Sequence, residues 1–157
     1  MKKYELTDDT ITVGGRILHR IKALKSFSDV EEGDLGGYVE KEDNLDHSGE
    51  ARVSGDAWVY GNARVYGNAR VSGDARVSGD ARVSGENDYA AAKGFGREYR
   101  TTTFFRLQDG GIGVRCGCFC GTLEEFREKV KETHKESKMG KEYLMLADLM
   151  EYKFKNA

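Results

Sequence analysis

Between Val53 and Asp88 the chain reads VSGDAW, VYGNAR, VYGNAR, VSGDAR, VSGDAR, VSGEND, so an apolar position recurs every six residues. Val53, Val59, Val65, Val71, Val77 and Val83 open the hexads; Gly stands third in each, Asp, Asn or Glu fourth, and Ala fifth until Asn87. Such a period matches neither an amphipathic helix, which repeats at about 3.6 residues, nor a hairpin array, which needs longer strands between its turns. It matches a left-handed parallel β-helix, in which three hexads close one triangular coil with the branched residue inside and Gly and Asn/Asp at the corners. Six hexads make two regular coils, stacked roughly 4.8 Å apart, and residues 18 apart in sequence then lie over one another. Tyr60 is expected over Ser78, Tyr66 over Ser84, Arg52 beside Arg70, and Trp58 over Arg76 in cation–π geometry.

Upstream the pattern is irregular. In the hexad frame Lys41 and His47 would point inward, whereas Val39 and Leu45 keep the six-residue spacing in a frame shifted by two. Residues 35–52 therefore read as a distorted first coil or cap, and 35–88 as the repeat segment. Within residues 1–34, two β-rich runs flank Gly14-Gly15, which predicts a hairpin capping the stack. After the repeats the composition changes, predicting an α+β domain over 89–157. Thr101 to Leu107 and Ile112 to Cys118 flank Asp109-Gly110-Gly111 as a hairpin. Thr122 with Glu125 forms a capping box for a helix to about His134, striped by Leu123, Phe126 and Val130. A second helix is expected from about Lys141 to Glu151, apolar around much of its circumference and so buried on more than one side, then a short strand from Tyr152 to Phe154. The expected fold is mainly β: a short left-handed parallel β-helix with an N-terminal β cap and a C-terminal α+β domain. So short a stack leaves open strand edges, which the flanking segments or a homo-oligomer, a trimer or dimer, must cover.

Composition narrows the function classes. The 157 residues carry 25 Lys+Arg against 27 Asp+Glu, a formal net charge of −2, so no chain-wide field draws in nucleic acid or an anionic membrane. No apolar run approaches the roughly 18 residues of a membrane span, and the start MKKYELTDDT turns acidic where a signal peptide turns apolar. A cytoplasmic protein is expected. All three cysteines lie within CGCFC, too close together for a disulfide framework, which fits a reducing compartment.

Several residues could carry chemistry. On a single strand Cys116, Cys118 and Cys120 would share one face with Ile112 and Val114, which points to core packing. A metal or redox role for these thiols with His134 is the alternative, although the spacing lacks the CxxC of common zinc sites. The loop Gly94-Phe95-Gly96-Arg97 could cradle a phosphate on its backbone N–H groups, with Arg100 adding charge. Trp58, Tyr60, Tyr66 and the neighbouring repeat arginines form a second cluster of stacking and cationic groups, set among interleaved Asp and Glu that make a self-compensating surface. No cofactor is implied. Some hexapeptide β-helices are γ-class carbonic anhydrases with three zinc-binding histidines, but His19, His47 and His134 come from three different segments. Others are acyltransferases; only His47, beside the repeats, could serve as the general base.

The combination RIKAL, GDLGGYVE, tandem VYGNAR/VSGDAR hexads and FFR…DGGIGVRCGCFCGTLEEF resembles hexapeptide-repeat proteins encoded by phages and prophages of Gram-positive bacteria. It covers nearly the whole chain. The resemblance implies a phage accessory protein in the bacterial host cytoplasm, with no established catalytic residues. The function expected from it is non-enzymatic binding: an anti-defence factor that engages a host protein or sequesters an anionic nucleotide-like ligand. The alternatives are a hexapeptide-type acyltransferase and a structural or assembly protein. A small-ligand site is expected between subunits around Gly94, Gly96, Arg97 and Arg100, with Trp58, Tyr60 and Tyr66 as the second location.

Overall fold

The computed structural model describes residues 2–117 and 119–155. Two long strands, β1 (Tyr4–Val13) and β2 (Arg16–Ala23), form the N-terminal hairpin and β3 (Leu35–Val39) follows. Six two-residue strands come next: β4 (Arg52–Val53), β5 (Trp58–Val59), β6 (Arg64–Val65), β7 (Arg70–Val71), β8 (Arg76–Val77) and β9 (Arg82–Val83). The C-terminal part contains β10 (Tyr89–Phe95), β11 (Arg100–Arg106), β12 (Ile112–Cys116), β13 (Phe119–Thr122), α1 (Leu123–His134) and α2 (Lys138–Lys155). No helix among the described residues is long and apolar enough to cross a membrane.

The hexads build three parallel ladders. Strand β4 pairs with β7, β5 with β8 and β6 with β9, each joining residues 18 apart, such as Val53 to Val71. The six valines are at most 2% exposed. Each such burial contributes about 1.5–3 kcal/mol. The third-place glycines make the corners: Gly55, Gly61, Gly67, Gly73 and Gly79 have φ of 63–67°, a conformation that strains any side chain. The frame shift upstream has a structural counterpart, because Val39 pairs with Val59 and Leu45 with Val65 at a separation of 20 residues.

The hairpin turns through Gly14 and Gly15, at φ of 54° and 83°, and β2 then pairs antiparallel with β3. The resulting sheet runs β1-β2-β3-β5-β8, which lays the hairpin across the N-terminal end of one ladder. At the other end the sheet β10-β11-β12-β13 is sandwiched between the coils and the two helices. Alternation along β11 divides the work: Phe105 joins the core of the coils, while Phe104 packs with Val114, Phe126 and Tyr143 under the helices.

Opposite hydrogen-bonding chemistry closes the two ends of the stack. At the N-terminal end the exposed rung offers carbonyls, and the caps are donors. Lys3 Nζ donates to Ala51 O at 2.6 Å, and the buried Asn44 Nδ2 donates to Ala63 O at 2.9 Å and Gly61 O at 3.2 Å. At the C-terminal end backbone N–H groups are capped by acceptors. Arg76 N donates to Thr103 Oγ1, Ser84 N to Asp88 Oδ2 and Ser72 N to the Tyr89 hydroxyl. Unpaired, these buried groups would each cost about 1–3 kcal/mol.

Three expectations need correction. CGCFC is not one strand: Gly117, at φ 58°, begins a tight turn that places β13 antiparallel to β12. Cys116 thus pairs with Phe119 on the helix side, whereas Cys120 pairs with Arg115 on the coil side. The strand expected at Tyr152 to Phe154 is the last turn of α2, because Tyr143, Ala147, Met150 and Phe154 continue one buried stripe at helical spacing. That stripe is also single: Met145, Leu149 and Tyr152 are exposed, so α2 is not buried around its circumference.

Candidate functional site

A cleft of about 630 Å³ opens where the β5–β8 face, the C-terminal sheet and the tip of the N-terminal hairpin converge. Trp58, Asp74 and Arg76 come from the coils, Thr12 and Val13 from the hairpin, and Lys93, Glu98, Tyr99, Arg100, Thr101, Arg115 and Gly117 from the C-terminal sheet and its turns. Its volume lies within the usual small-ligand range. Four cations therefore face two carboxylates.

The charges are unequally satisfied. Lys93 pairs with Asp74 at 3.2 Å and Arg100 with Glu98. Arg76 and Arg115 form no ion pair among the described residues. The 18-residue register lays the Arg76 guanidinium 3.7 Å from the Trp58 ring centroid, as the sequence led us to expect. Arg76 Nη1 donates to backbone carbonyls, with Asp74 O at 2.5 Å. Burial, partly offset by nearby Asp74, holds its pKa below the ordinary arginine value. Arg115 lies over the Tyr60 ring at 5.8 Å. Tyr60 is 6% exposed, and its hydroxyl is a buried polar atom without a hydrogen-bond partner. The Tyr60 hydroxyl does not itself line the cleft, but two guanidiniums without carboxylate partners can accept an anion by charge-assisted hydrogen bonding.

Of the sequence-nominated residues, the cleft gathers Trp58 and Arg100, with Tyr60 beneath Arg115. The Gly94–Arg97 segment spans the end of β10 and the turn into β11: Gly94 has φ 103° and open space around it, and Gly96 packs so closely on Tyr143 that a side chain would collide with the hydroxyl. Neither Arg97 nor Tyr66 lines the cleft; Tyr66 follows β6 on another ladder. The sequence argument did not single out Arg115, Lys93 or Tyr99. Tyr99 is 67% exposed and holds the left-handed conformation at φ 51°, rare for an aromatic residue.

The thiol and histidine candidates are occupied elsewhere. Thr102 Oγ1 donates to Cys116 Sγ, and Cys120 Sγ sits 3.7 Å from Ser78 Oγ on the opposite face of the sheet. Cys118 lies outside the described residues. His134 makes a tilted ring contact with Tyr143 on the helix side. No group of three or more His, Cys, Asp or Glu among the described residues is arranged to hold a metal ion. His47 Nδ1 accepts from Lys3 N at 3.1 Å, which leaves Nε2 to donate to Glu42 Oε1, and the ring stacks on Tyr4 at 4.2 Å. Both nitrogens that a general base would use thus have partners: Nδ1 the N-terminal segment at Lys3, Nε2 the first coil at Glu42. His19 Nδ1 donates to Thr7 O at 2.9 Å across the β1–β2 bulge.

Two overlapping stretches, residues 59–73 and 63–77, match the model of the YdcK beta solenoid repeat. No curated protein matches the chain. The match coincides with β5 to β8 and the corners between them, and it supports a repeat β-solenoid family for the segment whose parallel ladders form one wall of the cleft.

Proposed function

We propose that this is a non-enzymatic binding protein whose cleft takes an anionic, nucleotide-like molecule. One observation carries the reading: Arg76 and Arg115 line the cleft with no carboxylate partner among the described residues. Guanidinium forks suit phosphate oxygens, and Tyr99 at the lip offers a ring on which a base can stack. The cleft differs from the loop site expected from sequence by using the outer coil face and β12 rather than the Gly94–Gly96 backbone.

The same reading takes the coils as left-handed, since the hexads recur with Gly and Asn/Asp at their corners. It takes the setting as the cytoplasm of a phage-infected bacterium, where sequestering a nucleotide-like signal would make the protein an anti-defence factor. The exposed Met145 and Leu149 on α2 support homo-oligomerisation to a dimer or trimer.

The test is recovery of tagged protein from phage-infected cells, followed by mass spectrometry of bound metabolites. The parent is expected to carry a phosphate-bearing metabolite that the Arg76→Ala/Arg115→Ala variant lacks. Parent protein recovered free of any metabolite would overturn the reading.

A further inference from the structure

A second cavity, of about 350 Å³, lies on the opposite side of the N-terminal hairpin's docking edge, between the β4–β7 ladder and the segment 24–34. Its origin is a missing rung. The first coil supplies β3 above β5 and Leu45 above β6, but no strand of it pairs above β4. Over that gap runs a strap whose base is closed by Ala23 N to Asp34 O and Gly33 N to Ala23 O, both 2.9 Å. Its tip is a tight turn in which Phe27 and Val30 exchange backbone hydrogen bonds of 2.8 and 2.9 Å.

The walls are apolar, including Ile21, Phe27, Val30, Leu35, Leu45 and Val53. The polar groups gather around Arg52 and Arg70, which the hexad register stacks side by side. Asp29, carried at the tip of the strap, spans them: one carboxylate oxygen lies 2.7 Å from Arg52 Nε and the other 3.2 Å from Arg70 Nη2. The other carboxylate in the lining, Asp34, accepts from Glu31 N at 2.9 Å within its own loop. The Asp29 side chain is 60% exposed, so its ion pairs are of the weak, solvent-screened kind.

We infer that this cavity is a second ligand site, for a small molecule with an apolar body and one carboxylate, and that Asp29 occupies the place of that carboxylate. The volume holds about ten to twelve heavy atoms at the roughly 30 Å³ each takes in a liquid, which matches a medium-chain fatty acid. The ligand's carboxylate takes over both guanidiniums, its chain lies against Phe27, Val30 and Val53, and Asp29 moves into water. Neutral apolar molecules of the same length lack the group that competes with Asp29. This site is independent of the cleft and of the reading drawn from it.

Isothermal titration with octanoate, hexanoate and octanol, on the parent, Asp29→Asn and Arg70→Gln, tests the inference. Octanoate is expected to bind one per chain, about tenfold more tightly than hexanoate, because two further methylenes are buried. Asp29→Asn should tighten octanoate at least threefold by removing the internal competitor. Arg70→Gln should weaken octanoate about tenfold and leave octanol unchanged. Absence of saturable octanoate binding to both the parent and Asp29→Asn overturns the inference. So does octanoate affinity that neither substitution changes, since the Arg pair would then play no part.

Discussion

Lys3 offers a sharp test of the N-terminal cap. Its side chain is buried, with Nζ donating to Ala51 O at 2.6 Å and lying 4.6 Å from the Phe27 ring centroid. Desolvation, opposed in part by Asp46, lowers its pKa from 10.5 to about 8. The unfolded chain keeps that proton to about pH 10.4. Between the two values the unfolded state binds more protons than the folded one, so stability rises with pH. The full difference of about 2.5 pH units corresponds to about 3 kcal/mol, of which about 2 kcal/mol falls between pH 7 and 9.5. Tyr4 has the opposite sign. Burial, then nearby Glu42, raises its phenol above the ordinary value, so above about pH 10 the unfolded chain ionises first and stability declines. Lys3→Met removes the ammonium and keeps most of its volume. Urea unfolding of parent and variant at pH 7, 8, 9 and 9.5 should show the parent gaining about 2 kcal/mol on the variant. Parallel stability curves would refute the buried-ammonium argument.

Further substitutions probe the corners and the caps. Gly67→Ala should destabilise more than Gly79→Ala: both have similar positive φ, but the added Cβ at Gly67 would lie 2.9 Å from Ser84 O, whereas nothing lies within 4 Å at Gly79. Comparison of denaturant midpoints checks this, with about 1–2 kcal/mol of backbone strain expected at Gly79 alone. Asn44→Leu, which orphans the Ala63 and Gly61 carbonyls and the Lys41 N–H, should cost about 3 kcal/mol by urea titration. Burial alone would raise the Asp88 carboxyl, but the N–H and hydroxyl of Ser84 and the Arg106 guanidinium hold it below the usual range. Its contribution is therefore present above about pH 4 and lost as pH falls through the folded pKa. Asp88→Asn should flatten that acid limb in a pH series of thermal melts. Light scattering at micromolar concentration should give a dimer or trimer mass, shifted toward monomer by Leu149→Lys.

The repeat was legible because its signal is redundant: six valines, six glycines and alternating small and charged residues all obey one period. That register by itself places Arg76 on Trp58 and Arg52 beside Arg70. The caps were less legible. Lys3, Asn44, Asp88 and Thr103 are ordinary polar residues until the fold brings a ladder edge to them, and nothing local marks the carbonyl or N–H they satisfy. The error over CGCFC had a specific cause. Alternation across five residues looks like a strand, but the Gly within it supplies the positive φ of a turn, and a glycine inside a strand pattern was the available warning. Arg115 was missed for a different reason: alternation puts it opposite Val114 and Cys116, but only the packing of the C-terminal sheet on the coils brings that face to Tyr60. The apolar richness of α2 suggested burial on several sides; its order, with Tyr143, Ala147, Met150 and Phe154 on one stripe, already specified one side.

Calorimetric titration of ADP against the parent and the Arg76→Ala/Arg115→Ala variant, at low and moderate salt, tests the cleft most directly. The account predicts one saturable site per chain, weakened at higher salt by screening and at least tenfold by the double substitution, with the melting temperature retained or raised. Equal ADP affinity in parent and double variant, or no ADP binding to the parent at low salt, would contradict it.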